Sequence, residues 1–514
     1  MKRRAFINTG FLTLGGMLIG RNFTYANAMA EVSDSLRNMS DGTYDLVING
    51  AGLSGFFAAL EAAKKGLKVL VVDKRTSPGY DIAAKRKLWL KTEGLEKWDE
   101  AMLDLFLPKG ELVEMLDNNL DAPRNSRSGN ELLLFAGSIK KGMLRSLLVN
   151  KVDVLLMTDV CGIITDKNNK TSGVVVASKH GVFSISCGHF VDASCNTLFT
   201  RDLFQQKYSI SDAGFIIELE GVSNMTDKNI SVNDSFGVLG NQITLHKGKK
   251  AADQYFLEYR FPTENNDLSS IEQKARNIAF EIGKKLPNLS PSFSNAIFRY
   301  YALECSHHVK GKIDAVIPLK NYDYFENQTE DYSCDSILQM AEEARKKVEK
   351  IKDCTTPAEM AFVHYAGSRV AFKGTNKTIN ENGQPLPLSP FPVETLNIPA
   401  KESSIIVVGG GTAGVMAALG VTEKGFKPTV VEYFNDMGGT RSLGGVQKYY
   451  YGNQKHPLIK QFDAEIRQTT KNHHMNGGMP RCCHDLKLLL DKKCTIINGA
   501  IFCGVEVVNK QLKS

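Results

Sequence analysis

Tyr44-Asp-Leu-Val-Ile-Asn-Gly50-Ala-Gly52-Leu-Ser-Gly55 is an apolar run that breaks into a G-x-G-x-x-G turn and continues into alanine-rich sequence. A short apolar run closed by glycine reads as a buried strand, and the stretch after it has helical spacing. A second apolar run, Leu67-Lys-Val-Leu-Val-Val, ends on Asp73. The pattern returns near the other end as Ser404-Ile-Ile-Val-Val-Gly409-Gly410-Gly411-Thr412-Ala413-Gly414, followed by Thr429-Val-Val and Glu432. The first glycine and the acid lie 23 positions apart in both copies. Strand, glycine turn, helix, strand and acid at that distance predict a βαβ dinucleotide unit, present twice.

Each residue type has a task. Gly50 and Gly409 allow a tight turn out of the first strand. Gly52 and Gly411 lack a Cβ, so a diphosphate can approach the backbone. Gly55 and Gly414 let the helix sit close to the sheet. The free N–H groups and the dipole at the helix start favour negative phosphates. Asp73 and Glu432 are placed to accept hydrogen bonds from a ribose, and a carboxylate there repels a 2′-phosphate. Both copies therefore read as FAD or NAD sites rather than NADP sites. The alternative is a glycine turn in an ordinary doubly wound fold with no ligand.

After Glu432 the chain runs Tyr433-Phe-Asn-Asp-Met437-Gly438-Gly439-Thr440-Arg441-Ser442-Leu443-Gly444-Gly445-Val446. A glycine pair soon after the acid suits a loop passing close to a flavin's ribityl-phosphate. On these residues the chain resembles the FAD-dependent oxidoreductases of the glutathione-reductase-like superfamily, and within it an exported bacterial branch with the pattern acid, Gly-Gly-Thr, Gly-Gly-Val. The resemblance covers about 44–75, 150–200 and 404–510. It implies FAD as cofactor. It assigns cofactor contacts to Gly50, Gly52, Gly55, Asp73, Lys74, Val160 and Asp192 in the first copy. In the second they are Gly409, Gly411, Gly414, Glu432, Gly438, Gly439, Thr440, Gly444 and Gly445.

The repeat extends into a third strand, where Val154 to Ile164 match Ile496 to Glu506. In the first copy Phe190-Val-Asp192-Ala193-Ser194-Cys195 looks like the family's strand ending in Asp-Ala-Thr-Gly, with Ser194-Cys195 where Thr-Gly is usual. A cysteine in place of that glycine crowds the cofactor. Asn49 before the first glycine and Ser77-Pro-Gly79-Tyr80 in place of a Gly-Gly loop are further departures. The second copy has the better glycine loops, but ten residues follow Gly504. It is expected to be incomplete, finished by a missing C-terminal segment or by a second chain.

The expected fold class is α/β: a Rossmann-like FAD/NAD(P)-binding fold present twice, the second copy incomplete, with an antiparallel, β-rich α+β substrate domain. Expected boundaries are 1–30 for a signal peptide and 42–205 for the first dinucleotide domain with a helical insertion at 80–150. A substrate or cap domain spans 206–372, a Gly/Pro-rich linker 373–403, and the second dinucleotide domain 404–514.

The net charge is +7, and Lys2, Arg3, Arg4 and Arg21 in the acid-free first thirty residues supply four of it. No basic run interleaved with aromatics occurs, which argues against a nucleic-acid partner. Paired arginines, the short apolar stretch Phe11–Ile19 and the small residues Ala26–Ala30 read as a twin-arginine-type export signal and a periplasmic destination. That stretch is too short to span a bilayer. Ten cysteines occur without a C-x-x-C, and His473, His474 and His484 have no ligand spacing, so no metal site is read.

Catalytic candidates are Arg441, in the glycine loop, and His308; His307, His364, Tyr300 and Tyr301 are the other polar groups near expected site segments. The resemblance implies hydride transfer from a small organic substrate, a sugar or polyol, to flavin, with reoxidation by an acceptor other than NAD. The rival reading is a flavin-free binding or scaffold protein derived from a flavoenzyme fold. A third is a pair of cooperating cofactors, with NADH in one site.

Overall fold

The computed structural model describes residues 43–107, 127–128, 130–179, 181–223, 225, 228–249, 252–313, 318–326, 332–351, 361–366, 403–444, 455–472, 479–502, 507–508 and 511–512. The expected leader 1–30, linker residues 373–402, and Gly445, Cys503 and Gly504 lie outside them. Residues Tyr44–Ser514 form one unit.

The first glycine turn sits in a sheet of eight strands. β1 (Tyr44–Asn49) leads through the turn into α1 (Leu53–Lys64), which returns to β2 (Val69–Asp73). Leu46, Val47, Ile48 and all of β2 are buried, which explains why both strands read as continuous apolar runs. Full burial of each Leu, Ile or Val contributes roughly 1.5–3 kcal/mol. The chain between β2 and residue 150 contains a helix at Glu100–Phe106, a small antiparallel sheet that includes Trp89–Lys91 and Glu131–Leu133, and then α2 (Ala136–Val149). β3 (Asp153–Leu156) pairs parallel to β2, with Val71 opposite Val154.

β4 (Thr158–Thr165), β5 (Thr171–Ser178) and β6 (Gly181–Asp192) form an antiparallel meander. β6 is long enough to serve several partners. Its first half pairs with β5, and Cys187–Asp192 runs parallel to β1. That register puts Asp192 opposite Asn49, beside the glycine turn.

A second, antiparallel sheet is built from β7 (Ser209–Glu220), β8 (Gln242–Lys247), β9 (Tyr255–Pro262), β10 (Ile297–Tyr301) and β11 (Ser306–Lys310), with Asn229–Ser231 at one edge. Leu257, Tyr259 and Phe261 are buried and alternate with the half-buried Glu258 and Arg260, the pattern of a strand with one face turned into the core. α3 (Leu268–Leu289) lies after β9 and starts on an Asp267 cap. β12 (Tyr322–Tyr324) adds to β6 in parallel. α4 (Cys334–Lys350) begins with a Ser333/Ser336 capping box and packs on α1. β13 (Phe362–Tyr365) extends β4.

The second glycine turn belongs to a three-stranded parallel sheet. β14 (Ile406–Val408), α5 (Thr412–Glu423) and β15 (Thr429–Val431) are followed by α6 (Pro457–Asn472), α7 (Met479–Asp491) and β16 (Thr495–Ile497). β14 pairs with β15 and β15 with β16, Val430 lying opposite Ile496. This order matches β1–β2–β3. The architecture is a mixed α/β one with parallel and antiparallel sheets. Among the described residues no helix is long and apolar enough to cross a membrane.

Candidate functional site

The two acids do the same local work. Asp73 accepts the Ala51 N–H through Oδ2 at 2.6 Å and the Arg75 N–H through Oδ1 at 2.8 Å. Glu432 accepts the Gly410 N–H through Oε2 and the Phe434 N–H through Oε1 at 2.8 Å. Both carboxylates are buried. Each satisfies turn amides that would otherwise be left without a partner. The third glycines are equally alike. A Cβ on Gly55 would lie 1.9 Å from the Gly50 carbonyl oxygen, and one on Gly414 1.7 Å from that of Gly409. No side chain fits at either place.

The turns differ at the second glycine, where a diphosphate would approach. A Cβ on Gly52 would lie 2.3 Å from Asp81 Oδ2 and 2.7 Å from the Tyr80 ring. The Leu53 N–H donates to Asp81 Oδ2 at 2.6 Å. Tyr80 is 1 % exposed, its hydroxyl donates to the Ala193 carbonyl at 3.3 Å, and the Arg75 guanidinium lies 3.7 Å over its ring. The start of α1 thus holds a carboxylate from its own chain, where an anion gains most from the helix end. Burial pushes the Asp81 carboxyl up, against the opposing pull of Lys85 and the Leu53 N–H.

At Gly411 an added Cβ would meet no described atom within 4 Å. The loop after the acid is pinned in the same way in both units: Gly79 N donates to Ala51 O at 2.8 Å, and Gly438 N to Gly410 O at 2.8 Å. Counting from those bonds, Gly439 and Thr440 stand where Tyr80 and Asp81 stand in the first unit. Without ring or carboxylate, this loop leaves the start of α5 open; Thr412 Oγ1 donates to Gly438 O at 2.8 Å. The residues around the second turn fit a diphosphate, and those around the first do not.

A polar cavity of about 100 Å³ lies between the two units, with Gly50, Asp73 and Lys74 on one side and Asn435, Asn498 and Gly499 on the other. Sites for drug-sized ligands and cofactors run to about 300–1,000 Å³, so this space does not hold a whole FAD. A larger groove, about 380 Å³ beside Phe236, Gln273 and Leu490, touches neither glycine turn. Beside the cavity, Arg75 forks onto Glu304 with two bonds of 2.6 Å. Burial alone would raise Glu304, but Arg75, helped by Lys74 and Lys85, draws it down to about 2. The units are joined by the Tyr433 hydroxyl donating to the Lys74 carbonyl, and Asn435 Nδ2 donates at 3.2 Å to Leu303 O in the turn after β10.

The deepest link is Arg276 on α3. It is fully buried, pairs with Asp436 and Glu272, and donates to Leu303 O at 3.0 Å. The Tyr301 hydroxyl also donates to Asp436, at 2.6 Å. Asp436 stands two residues before Gly438, so this network fixes the second glycine loop against the antiparallel sheet.

The other residues named from sequence are dispersed. Val160 is buried in β4 opposite Val176. Asp192 caps its own loop, accepting from Ser194 N, Thr200 N and Thr200 Oγ1 at 2.6–2.9 Å. Gly444 is exposed at the end of the described loop. Arg441 is buried and donates to Asp463 on α6 at 3.1 Å. Burial and the neighbouring Arg481 pull its pKa down. His308 is 56 % exposed, 3.1 Å from Asp212. His307, one residue earlier, lines the cavity. His364 lies 3.1 Å from Thr165 Oγ1. Arg441 and His308 do not meet at the cavity. Asp81, Arg276 and Asp436 escaped sequence reading; Tyr80 stood in the stretch noted as a departure, Gly79-Tyr80 where the second copy has Gly438-Gly439.

Residues 45–198 and 404–494 match the family described as FAD dependent oxidoreductase. Over 141 residues the chain is 30 % identical to digeranylgeranylglycerophospholipid reductase 1 of Methanococcoides burtonii, covering 24 % of this chain and 31 % of that protein. The chain thus matches about a third of the length of this curated relative. Among solved structures it is similar to a geranylgeranyl bacteriochlorophyll reductase-like protein of Thermoplasma acidophilum, with 14 % identity, 60 % of this chain and 79 % of the other covered, and a TM-score of 0.40. The flavin-dependent brominase Bmp2 matches at 16 % identity over 62 % and 82 %, also with a TM-score of 0.40. Both matched stretches are similar to those of FAD-dependent oxidoreductases, and the cofactor is FAD.

Proposed function

We propose that this chain, two stretches of which are those of an FAD-dependent oxidoreductase, is an exported flavoenzyme in which the second glycine turn holds the coenzyme's diphosphate. The first turn is a closed structural copy of the same Rossmann-like unit. The observation that carries this reading is the contrast at one position: Asp81 and Tyr80 fill the approach to Gly52, and among the described residues no atom lies within 4 Å of a Cβ placed on Gly411.

FAD, when bound, supplies the hydride acceptor. The chain's own residues bind and orient it. The start of α5 directs the N–H groups of its first turn at the diphosphate. Glu432 keeps the turn in shape through the Gly410 N–H. Arg276, through Asp436, holds the Gly438–Thr440 loop in place. The substrate proposed is a small organic molecule, a sugar or polyol, and the electron acceptor is one other than NAD. The leader with Arg3-Arg4 supports export of the folded, flavin-loaded protein to the periplasm.

Purified full chain tests the reading. The expected result is a visible flavin band that bleaches with a reductant, at one flavin per chain, and that is lost in Gly411→Val but kept in Gly52→Ala. A second reading, a flavin-free binding or scaffold protein, draws support from the self-filled first seat. A folded, colourless protein that takes up no added FAD would favour it.

A further inference from the structure

We propose that Glu272, Cys305 and His307 form a binding site for one divalent transition-metal ion, zinc by the chemistry of its donors. Glu272 lies on α3, Cys305 in the turn after β10, and His307 on β11. Each offers one ligand atom, and the three atoms lie within 4.8 Å of one another. All three residues are buried, at 3 %, 1 % and 7 % exposure. Cys305 directly precedes β11 and His307 is the second residue of that strand, so one short stretch of chain supplies two of the three ligands. The Asn196 side chain donates to the His307 carbonyl at 3.0 Å, which steadies that strand.

The donor set selects the ion. A thiolate, an imidazole nitrogen and a carboxylate oxygen are the mixed ligands that zinc takes, whereas calcium and magnesium ask for oxygen alone. A carboxylate, a thiolate and a divalent cation also sum to zero charge, which suits burial.

The surrounding charges leave room for the ion. Arg276 binds Oε2 of Glu272 at 2.5 Å and is shared with Asp436. Oε1 accepts the Cys305 N–H at 2.9 Å, and the Cys305 thiol hydrogen-bonds the same carboxylate, a proton that the ion would displace. Glu304 next to Cys305 is neutralised by Arg75. Glu272 and His307 also line the cavity of about 100 Å³, which has space for a water as fourth ligand. Three protein ligands and an open position are the arrangement of reactive zinc rather than of a closed structural site. This site is independent of which glycine turn holds FAD.

The test uses the full chain, stripped with a chelator and titrated with cobalt(II) or zinc(II). One cobalt per chain, with a sulfur-to-cobalt charge-transfer band, is the expected result. Cys305→Ser should abolish the band, His307→Gln should weaken binding at least tenfold, and Cys494→Ser should leave both unchanged. Zinc X-ray absorption on the wild-type chain reads the site without relying on a variant. It should show one sulfur at about 2.3 Å beside nitrogen and oxygen at about 2.0–2.1 Å. No stoichiometric metal, a band that survives Cys305→Ser, or a zinc shell without sulfur would each overturn the proposal.

Discussion

Asp81 accepts the Leu53 amide hydrogen at 2.6 Å, so the first glycine-led helix carries an anion from its own chain. Thr440 holds the corresponding place in the second unit and brings no charge to Thr412. The two turns share backbone shape and differ in what covers them, and that difference sets the first prediction.

Gly52→Ala and Gly411→Val should behave oppositely. At Gly52 the new methyl collides with Asp81 and the Tyr80 ring, and overpacking of this kind costs about 1–3 kcal/mol. Urea unfolding should show the loss while flavin per chain holds. At Gly411 the isopropyl group enters open space. Stability without cofactor should hold there while flavin is lost, and an unchanged flavin content would refute the assignment of the diphosphate to this turn.

Arg276→Met should destabilise by about 3–5 kcal/mol, because Asp436 and Glu272 are left buried without their cation. Pairing it with Asp436→Asn should recover part of that loss. Thermal unfolding of the two single variants and the double variant measures the coupling. Strict additivity would show that the buried pair does not couple α3 to the second glycine loop.

The Arg75–Glu304 fork should make stability acid-sensitive in a defined window. Glu304 drops from 4.5 to about 2 in the fold. A depressed carboxyl stabilises fully above its unfolded value, so the contribution is present above about pH 4.5 and fades as pH falls toward 2. The shift corresponds to roughly 3 kcal/mol at most. Glu304→Gln should flatten the pH dependence of unfolding between those limits and lower stability at pH 7. An equal slope in wild type and variant would place the acid sensitivity elsewhere.

β14 carries Ile406 and Val408 at about half exposure along the edge of the three-stranded sheet. An exposed apolar edge strand pairs readily with another chain. Val408→Lys should change unfolding free energy by less than about 0.5 kcal/mol and reduce self-association. Light scattering against concentration is the check.

The βαβ units were legible because their determinants are local. An apolar run of β1, a glycine at the turn, the helical spacing of α1 and an acid on the end of β2 are all written within thirty residues, and the third strand followed from the match of Val154 with Ile496. The antiparallel character around β7 and β9 was likewise visible as alternation. The first glycine turn was read as a cofactor seat on the same local grounds, yet nothing local says where a side chain thirty residues on will come to rest.

Sequence alone determined the strand–turn–helix units, the acids that close them and the cofactor class they suit, because glycine sterics and side-chain periodicity act over a single turn. Tertiary structure decided which turn is open. It folds Tyr80 and Asp81 back over Gly52, pulls Arg276 onto Asp436 across 160 positions, and sets Glu272 beside Cys305 and His307. Those outcomes depend on long-range burial and charge pairing, whose partners are fixed by packed sheets and helices and leave no mark in residue spacing.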